Sequence, residues 1–278
     1  MASVSRSPSF ISTPAIWLGV PGLAALALYA QLFPSLAAEW VEFPSLSHGF
    51  AVPFIAAYLI WSRRERLAAM RLQPSLWGFP VLLLGLGLLV VGVRGEEPFI
   101  ARVSLPVTVM GLTMFLAGLE AAKLTWIGIA YLFFMVPLPY TTLKAITYES
   151  RLFDAAVSAH LLGWLGVPVH RDGVLLHLPD ITLEVADACS SIPAISALLS
   201  LGVAYAWITP RPTVLRVGLI AVTLPIAITS NIIRIALTSA AVYYIGPWTL
   251  ATVFHLFNGT VNFMFTLLFL LFVDSLAL

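Results

Sequence analysis

Apolar residues in this chain come in long runs separated by short polar breaks, rather than as stripes shared with an equal polar face. A helix needs roughly 20 mostly apolar residues to cross a hydrocarbon core of roughly 30 Å. Runs of suitable character lie at 14–34, 46–62, 76–93, 99–118, 123–138, 190–208, 213–245 and 255–273, which predicts eight transmembrane helices. The second run is short and the seventh long. Ser35-Leu36-Ala37 has the look of a signal-peptide cleavage site, but the run before it exceeds a usual signal hydrophobic region, so it reads as an uncleaved helix.

The break between the fifth and sixth runs, 139–188, has structure of its own. Leu143, Ile146, Phe153, Val157, Leu161 and Trp164 recur at helical spacing beside Lys144, Glu149, Arg151 and Asp154. That pattern predicts an amphipathic helix over 141–165, lying in the membrane interface. Residues 167–185 then read as two short strands around the turn signal Arg171-Asp172-Gly173. The expected fold is an all-α integral membrane protein, one polytopic domain over 1–278, with this helix and hairpin before helix six.

Composition agrees with that pattern. Of 278 residues, 60% are hydrophobic and 10% charged, and the mean hydropathy is +0.98. Soluble domains carry about 25% charged residues to hydrate their surfaces, so the lipid bilayer is the solvent of this chain. A net charge of +1 leaves no basic face for a nucleic-acid partner. A single cysteine excludes an internal disulfide.

Charge placement sets the orientation, because Lys and Arg accumulate in cytoplasmic loops. Arg63, Arg64, Arg66 and Arg71 follow the second run, Lys123 lies between the fourth and fifth, and Arg211 and Arg216 follow the sixth. The alternate loops carry Glu39 and Glu42, then Glu96 and Glu97. With eight spans, both termini are expected in the cytoplasm of a cell whose plasma membrane holds the protein, and segment 139–188 outside.

Three chemically capable residues then fall at one depth. Cys189 stands just before the sixth span, in Ala188-Cys189-Ser190-Ser191-Ile192-Pro193. Ser190 or Ser191 suits a helix cap and Pro193 its first turn. A thiol at a helix N-terminus feels the positive end of the dipole, which favours thiolate. A lone cysteine is, on the other hand, more often a small buried hydrophobe. Arg234 lies inside the seventh span, where a charge is costly. Counted from Thr213, a rise of ~1.5 Å per residue lifts Arg234 by about 32 Å, to the outer interface. Snorkelling or a structural ion pair would also explain it. His255 opens the eighth span after the outer loop Gly246-Pro247-Trp248, and an isolated histidine at a helix end is commonly structural. Together the three are the parts of a thiol acyl-transfer site: nucleophile, anion partner and proton shuttle.

Weaker candidates surround them. His48, in Ser47-His48-Gly49, opens the second span on the same outer face. Asn231 lies three residues before Arg234, spaced either to orient the guanidinium or to pack between helices. Glu184 and Asp187 precede Cys189 and are candidates to pair with Arg234 or His255. A carboxylate facing the thiol would instead oppose its ionisation. His160, His170 and His177 are scattered without tight ligand spacing, so no metal and no cofactor is expected.

In order and spacing, Ser47-His48-Gly49, Met135-Val136-Pro137-Leu138-Pro139, Leu165-Gly166-Val167-Pro168-Val169, Ala188-Cys189-Ser190, Asn231-Ile232-Ile233-Arg234, and His255 with Asn258-Gly259 resemble the exosortase/archaeosortase family. The resemblance runs from about Ser47 to the last helix. It implies a membrane cysteine transpeptidase whose catalytic Cys, Arg and His map to Cys189, Arg234 and His255. It also implies partners: membrane-anchored secreted proteins bearing a C-terminal sorting signal (a short motif such as Pro-Glu-Pro, a transmembrane helix and a basic cluster), and an acceptor nucleophile it does not name. Ser191 departs from the family, which commonly has Gly after Cys-Ser. Two other classes share the spans. A transporter should carry its polar residues near the midplane on broken helices. A non-catalytic assembly protein would leave Cys189 unreactive.

Overall fold

Proline and glycine cut the apolar runs into a succession of helices. The computed structural model describes residues 13–250 and 252–276. In order these form α1 (Thr13–Tyr29), α2 (Phe33–Glu42), α3 (Val52–Trp61), α4 (Arg64–Ala69), α5 (Gly78–Arg94), α6 (Pro98–Ala117), α7 (Leu119–Tyr131) and α8 (Tyr140–Trp164). The strands β1 (His170–Asp172), β2 (Leu175–His177) and β3 (Thr182–Glu184) follow, and then α9 (Ser191–Ile208), α10 (Thr213–Tyr244) and α11 (Thr252–Leu276). Short 3₁₀ turns bridge several of them, including Pro44–Phe50, Leu132–Met135 and Asp187–Cys189.

Among the described residues, four stretches are long and apolar enough to cross a bilayer: Val20–Glu42, Pro98–Ala117, Ser191–Ile208 and Thr213–Tyr244. A fifth arises if α7 and α8 are taken as one broken span. The expected spans at 46–62, 76–93 and 255–273 fall on the shorter apolar helices Leu46–Trp61, Gly78–Arg94 and Phe263–Ser275.

The chain divides into two compact units, residues 1–43 with 49–137, and residues 44–48 with 138–278. In the first, α5 and α6 lie so close that a methyl group on Gly85 would strike Thr108, and one on Gly111 the backbone of Leu82. Small residues that let two backbones approach are how helices associate where lipid removes the hydrophobic drive. Several buried polar groups here find partners within the unit. Glu39 takes two hydrogen bonds from Arg102, at 2.6 and 2.8 Å, and the Tyr29 hydroxyl bonds Ser104 and Thr108 at 2.8 and 2.7 Å.

In the second unit α10 packs against α8, α9 and α11. Leu198, Leu219, Ile226 and Leu270 form one apolar cluster among α9, α10 and α11. Near the ends of α9 and α11 farthest from Cys189 in sequence, Arg211 pairs with both oxygens of Asp274, which also accepts from the Tyr205 hydroxyl at 2.7 Å. The strands form one antiparallel sheet in the order β1-β2-β3, with His170 opposite His177 and Leu176 opposite Leu183. The sequence predicts two strands here, and the third comes from the return through Leu178 and Ile181. Gly173 takes the left-handed φ of +60° that the β1–β2 turn requires. Leu176, Leu178 and Val185 bury one side of this small sheet against Ala155 and Leu162 of α8 and Ile235 and Ala236 of α10.

Helix α8 covers the segment where an amphipathic helix is expected, and the face it buries in the protein carries a polar stripe. Thr147, Arg151, Asp154 and Ser158 are buried, whereas Ile146, Phe153 and Trp164 are exposed. The polar stripe faces the protein together with Ala155 and Leu162, while Ile146, Phe153 and Trp164 face outward. The physical reason is the solvent: hydrocarbon favours the apolar face, and the polar groups find partners only inward.

Candidate active site

The polar face of α8 builds the site from below. Arg151 is buried and reaches the segment that leads to Cys189. Its Nε donates to the Val185 carbonyl, Nη1 pairs with Asp187 at 2.6 Å and Nη2 with Glu184 at 2.6 Å. Glu184 and Asp187 therefore pair with Arg151, not with Arg234 as the sequence allowed. Their alternative partner, the His255 side chain, lies outside the described residues. One guanidinium thus clamps three successive groups of the strand and turn onto α8.

Three residues further along α8, Asp154 organises the start of α9. Its Oδ2 accepts from the Ser191 backbone N–H at 2.8 Å, and both its oxygens accept from the Ser191 hydroxyl, at 2.7 and 2.9 Å. Ser190 occupies the cap position of α9 in extended conformation, yet no side chain of the cap residue itself bonds the helix. The sequence suggested Ser190 or Ser191 as the cap. The structure instead supplies it from another helix, and a carboxylate at this end is doubly favoured, by the free N–H groups and by the dipole. Ser190 is buried, and its hydroxyl has no hydrogen-bond partner among the described residues.

Cys189 ends the 3₁₀ turn Asp187–Cys189 and is half-buried. Burial pushes its thiol above the ordinary range, while the charges of Arg234 and Arg151 pull the other way. Burial thus opposes the thiolate that a helix N-terminus favours. Desolvation outweighs both arginines, so the protonated thiol dominates at neutral pH.

Asn231, buried on α10, ties these parts together. Its Nδ2 donates to the Cys189 carbonyl at 2.8 Å and to Asp154 Oδ2 at 3.1 Å. Its Oδ1 accepts from Arg234 Nη2 at 2.7 Å. Arg234 is half-buried, and among the described residues it forms no ion pair with a carboxylate. The structure therefore brings together Cys189, Ser190, Asn231 and Arg234, and adds Arg151, Asp154 and Ser191. His48 sits half-buried in the 3₁₀ turn Pro44–Phe50. His255 lies in the first turn of α11 and Asn258 one turn later; their side chains lie outside the described residues.

Arg151 and Asp154 are the site residues that sequence reasoning missed. Their signal is the spacing Thr147, Arg151, Asp154, Ser158, a polar stripe at helical period along one face of α8. Among the described residues no group of three or more His, Cys, Asp or Glu is arranged to hold a metal ion. His170 and His177 stack across β1 and β2 with ring centroids 6.2 Å apart, and His177 Nδ1 bonds the Thr182 hydroxyl at 2.8 Å.

An apolar helical protein with its one thiol at a helix start, and an arginine with no carboxylate partner among the described residues acting on it, belongs to a narrow class. The family model for transmembrane exosortases matches residues 40–272. The chain belongs to that family, and membership implies a membrane transpeptidase for sorting signals. No curated protein and no solved structure matches the chain.

Proposed function

We propose that this protein is a membrane-embedded cysteine transpeptidase that cleaves the C-terminal sorting signals of secreted proteins and transfers or releases the freed acyl end. Cys189 is the nucleophile, Arg234 the anion-binding group and His255 the proton shuttle. One observation carries the reading. Arg102, Arg151 and Arg211 each pair with carboxylates, whereas Arg234 is held by the neutral Asn231 amide and its charge acts on the Cys189 sulfur. A half-buried guanidinium with no carboxylate partner among the described residues is poised to receive one from a reacting substrate.

The thiol is protonated at rest, so the first step needs a base. His255 takes the Cys189 proton as sulfur attacks the scissile carbonyl carbon. Arg234 stabilises the oxyanion, and the buried hydroxyl of Ser190 is a further donor beside the thiol. Collapse breaks the C–N bond, and His255 returns the proton to the departing amine. The resulting thioester is resolved by an acceptor amine, giving a new amide, or by water, giving an acid, with regeneration of the thiol. No cofactor takes part. The setting is a single polytopic domain of eight spans in the plasma membrane, both termini cytoplasmic and the site on the extracytoplasmic side, where the substrate's own transmembrane helix delivers its motif from the bilayer.

Incubating the membrane protein with substrate and quenching before acceptor is added should leave an acyl fragment on Cys189, identified by mass spectrometry and released by hydroxylamine. A Cys189→Ala strain that processes its substrate at the normal rate would end this reading.

A further inference from the structure

We infer that Asp154 is a positioning residue for the reaction, setting through Asn231 the direction of the Arg234 guanidinium and through Ser191 the placement of the Cys189 turn. The inference rests on the transpeptidase reading of Cys189 and Arg234, and assigns a role to a residue outside the proposed triad.

The side-chain amide of Asn231 can be turned two ways, and its surroundings choose one. On one side lie three oxygens: Asp154 Oδ2 at 3.1 Å, the Cys189 carbonyl at 2.8 Å and the Ser191 hydroxyl at 3.3 Å. The Ser191 hydroxyl is committed as a donor to Asp154. The carboxylate and the carbonyl have no proton to offer, so this side can only accept. Nδ2 must therefore point to it, and Oδ1 is left facing Arg234. Were Asp154 absent, the Cys189 carbonyl would still take Nδ2, but the Ser191 hydroxyl would be free to turn and the amide would lose an acceptor that holds it, so Oδ1 could shift away from the guanidinium. Asp154 reinforces that polarity and holds the amide in place. It also anchors the first backbone N–H of α9, two residues after the sulfur. Asp154 is fully buried, so it serves this network and not solvent. The proposed role is geometric, and it depends on an acceptor oxygen at the Oδ2 position.

The test uses the full-length protein in membranes. Asp154→Ala should lower turnover about 10²-fold with KM little changed, the scale on which a misplacement near 1 Å acts. Asp154→Asn, whose single side-chain oxygen can occupy the Oδ2 position, should recover most of that loss. Ser191→Ala, which keeps the backbone cap, should lose about tenfold, the lower end for one hydrogen bond to a charged group. A second readout does not depend on turnover: the pH profile of Cys189 alkylation by a small iodoacetamide. Arg234→Gln and Asp154→Ala should each move its midpoint upward, and the double variant should move it no further than Arg234→Gln alone, since both act through one guanidinium. Additive shifts, or an unmoved profile in folded Asp154→Ala, overturn the inference. So does Asp154→Asn proving as inactive as Asp154→Ala while both remain folded. If Asp154→Ala does not fold, Ser191→Ala and Asp154→Asn still decide it by the same profile. The reading beneath fails separately, through a normal rate in Cys189→Ala, which no result with Asp154 can imitate.

Discussion

The Asn231 side chain donates to the backbone carbonyl of Cys189 at 2.8 Å while accepting from Arg234 at 2.7 Å. One amide on α10 thus sets the distance between the turn that carries the thiol and the cation that acts on it. Asn231→Ala removes both bonds at once. Turnover is expected to fall about 10²-fold, comparable to loss of an oxyanion donor. Asn231→Asp should be no rescue, because it sets a second carboxylate within 3.1 Å of Asp154 and ties Arg234 into an ion pair. Assaying both variants for substrate processing checks the argument; an active Asn231→Asp protein would contradict it.

Arg151 makes a different prediction. Its guanidinium is buried, but Glu184 and Asp187 are 61% and 62% exposed, so both return to water when it is removed. Arg151→Met should therefore cost only about 1–3 kcal/mol of stability, as for lost hydrogen bonds to a charged group, and not the larger sum of a stranded buried charge. The expected phenotype is a loosened turn. Limited proteolysis should find a new cut within 180–189, and Cys189 alkylation should become faster at high pH, where access rather than ionisation limits it.

Much of this arrangement is written in the sequence. Apolar run lengths locate the ends of α9 and α10, and those ends put Cys189 and Arg234 in reach of each other. Arg151 and Asp154 escape notice because the helical spacing of α8 draws attention to its apolar positions, while the partners of the buried stripe from Thr147 to Ser158 come from segments distant in sequence. Strand β3 is three residues long, and its pairing with β2 depends on Val185 and Leu178 finding the face of α8, a tertiary fact with no local signature. The thiol's raised pKa likewise reflects packing around Cys189, which a helix-terminus argument does not contain.

That raised pKa has a signed consequence. Desolvation is the largest influence on Cys189 and favours the thiol; Arg234, then Arg151, favour thiolate. Alkylation should therefore keep accelerating as pH rises past the ordinary thiol range, around 8.5. Arg234→Gln removes a charge that lowers the pKa, so its midpoint should lie higher than that of the unmodified protein, and at pH 7 its labelling should be slower. A midpoint below that of a model thiol would mean that the helix dipole and arginines outweigh burial after all.

The pair farthest from the chemistry gives a clean stability prediction. Arg211 and Asp274 are 9% and 5% exposed, and Asp274 also accepts from the Tyr205 hydroxyl. Unlike the partners of Arg151, neither side chain can rehydrate in place. Asp274→Ala leaves a guanidinium buried without a counter-charge, which typically costs 3–5 kcal/mol, read as a lowered melting temperature in detergent. Arg211→Met combined with Asp274→Ala removes both charges and should recover most of that loss, because no buried ion is stranded. The alkylation profile of Cys189 should be the same in every variant that folds, since Arg211 and Asp274 make none of the bonds that position Asn231 or Arg234. If the double substitution is no more stable than Asp274→Ala alone, the cost lies in lost packing around Tyr205 rather than in the unpaired charge.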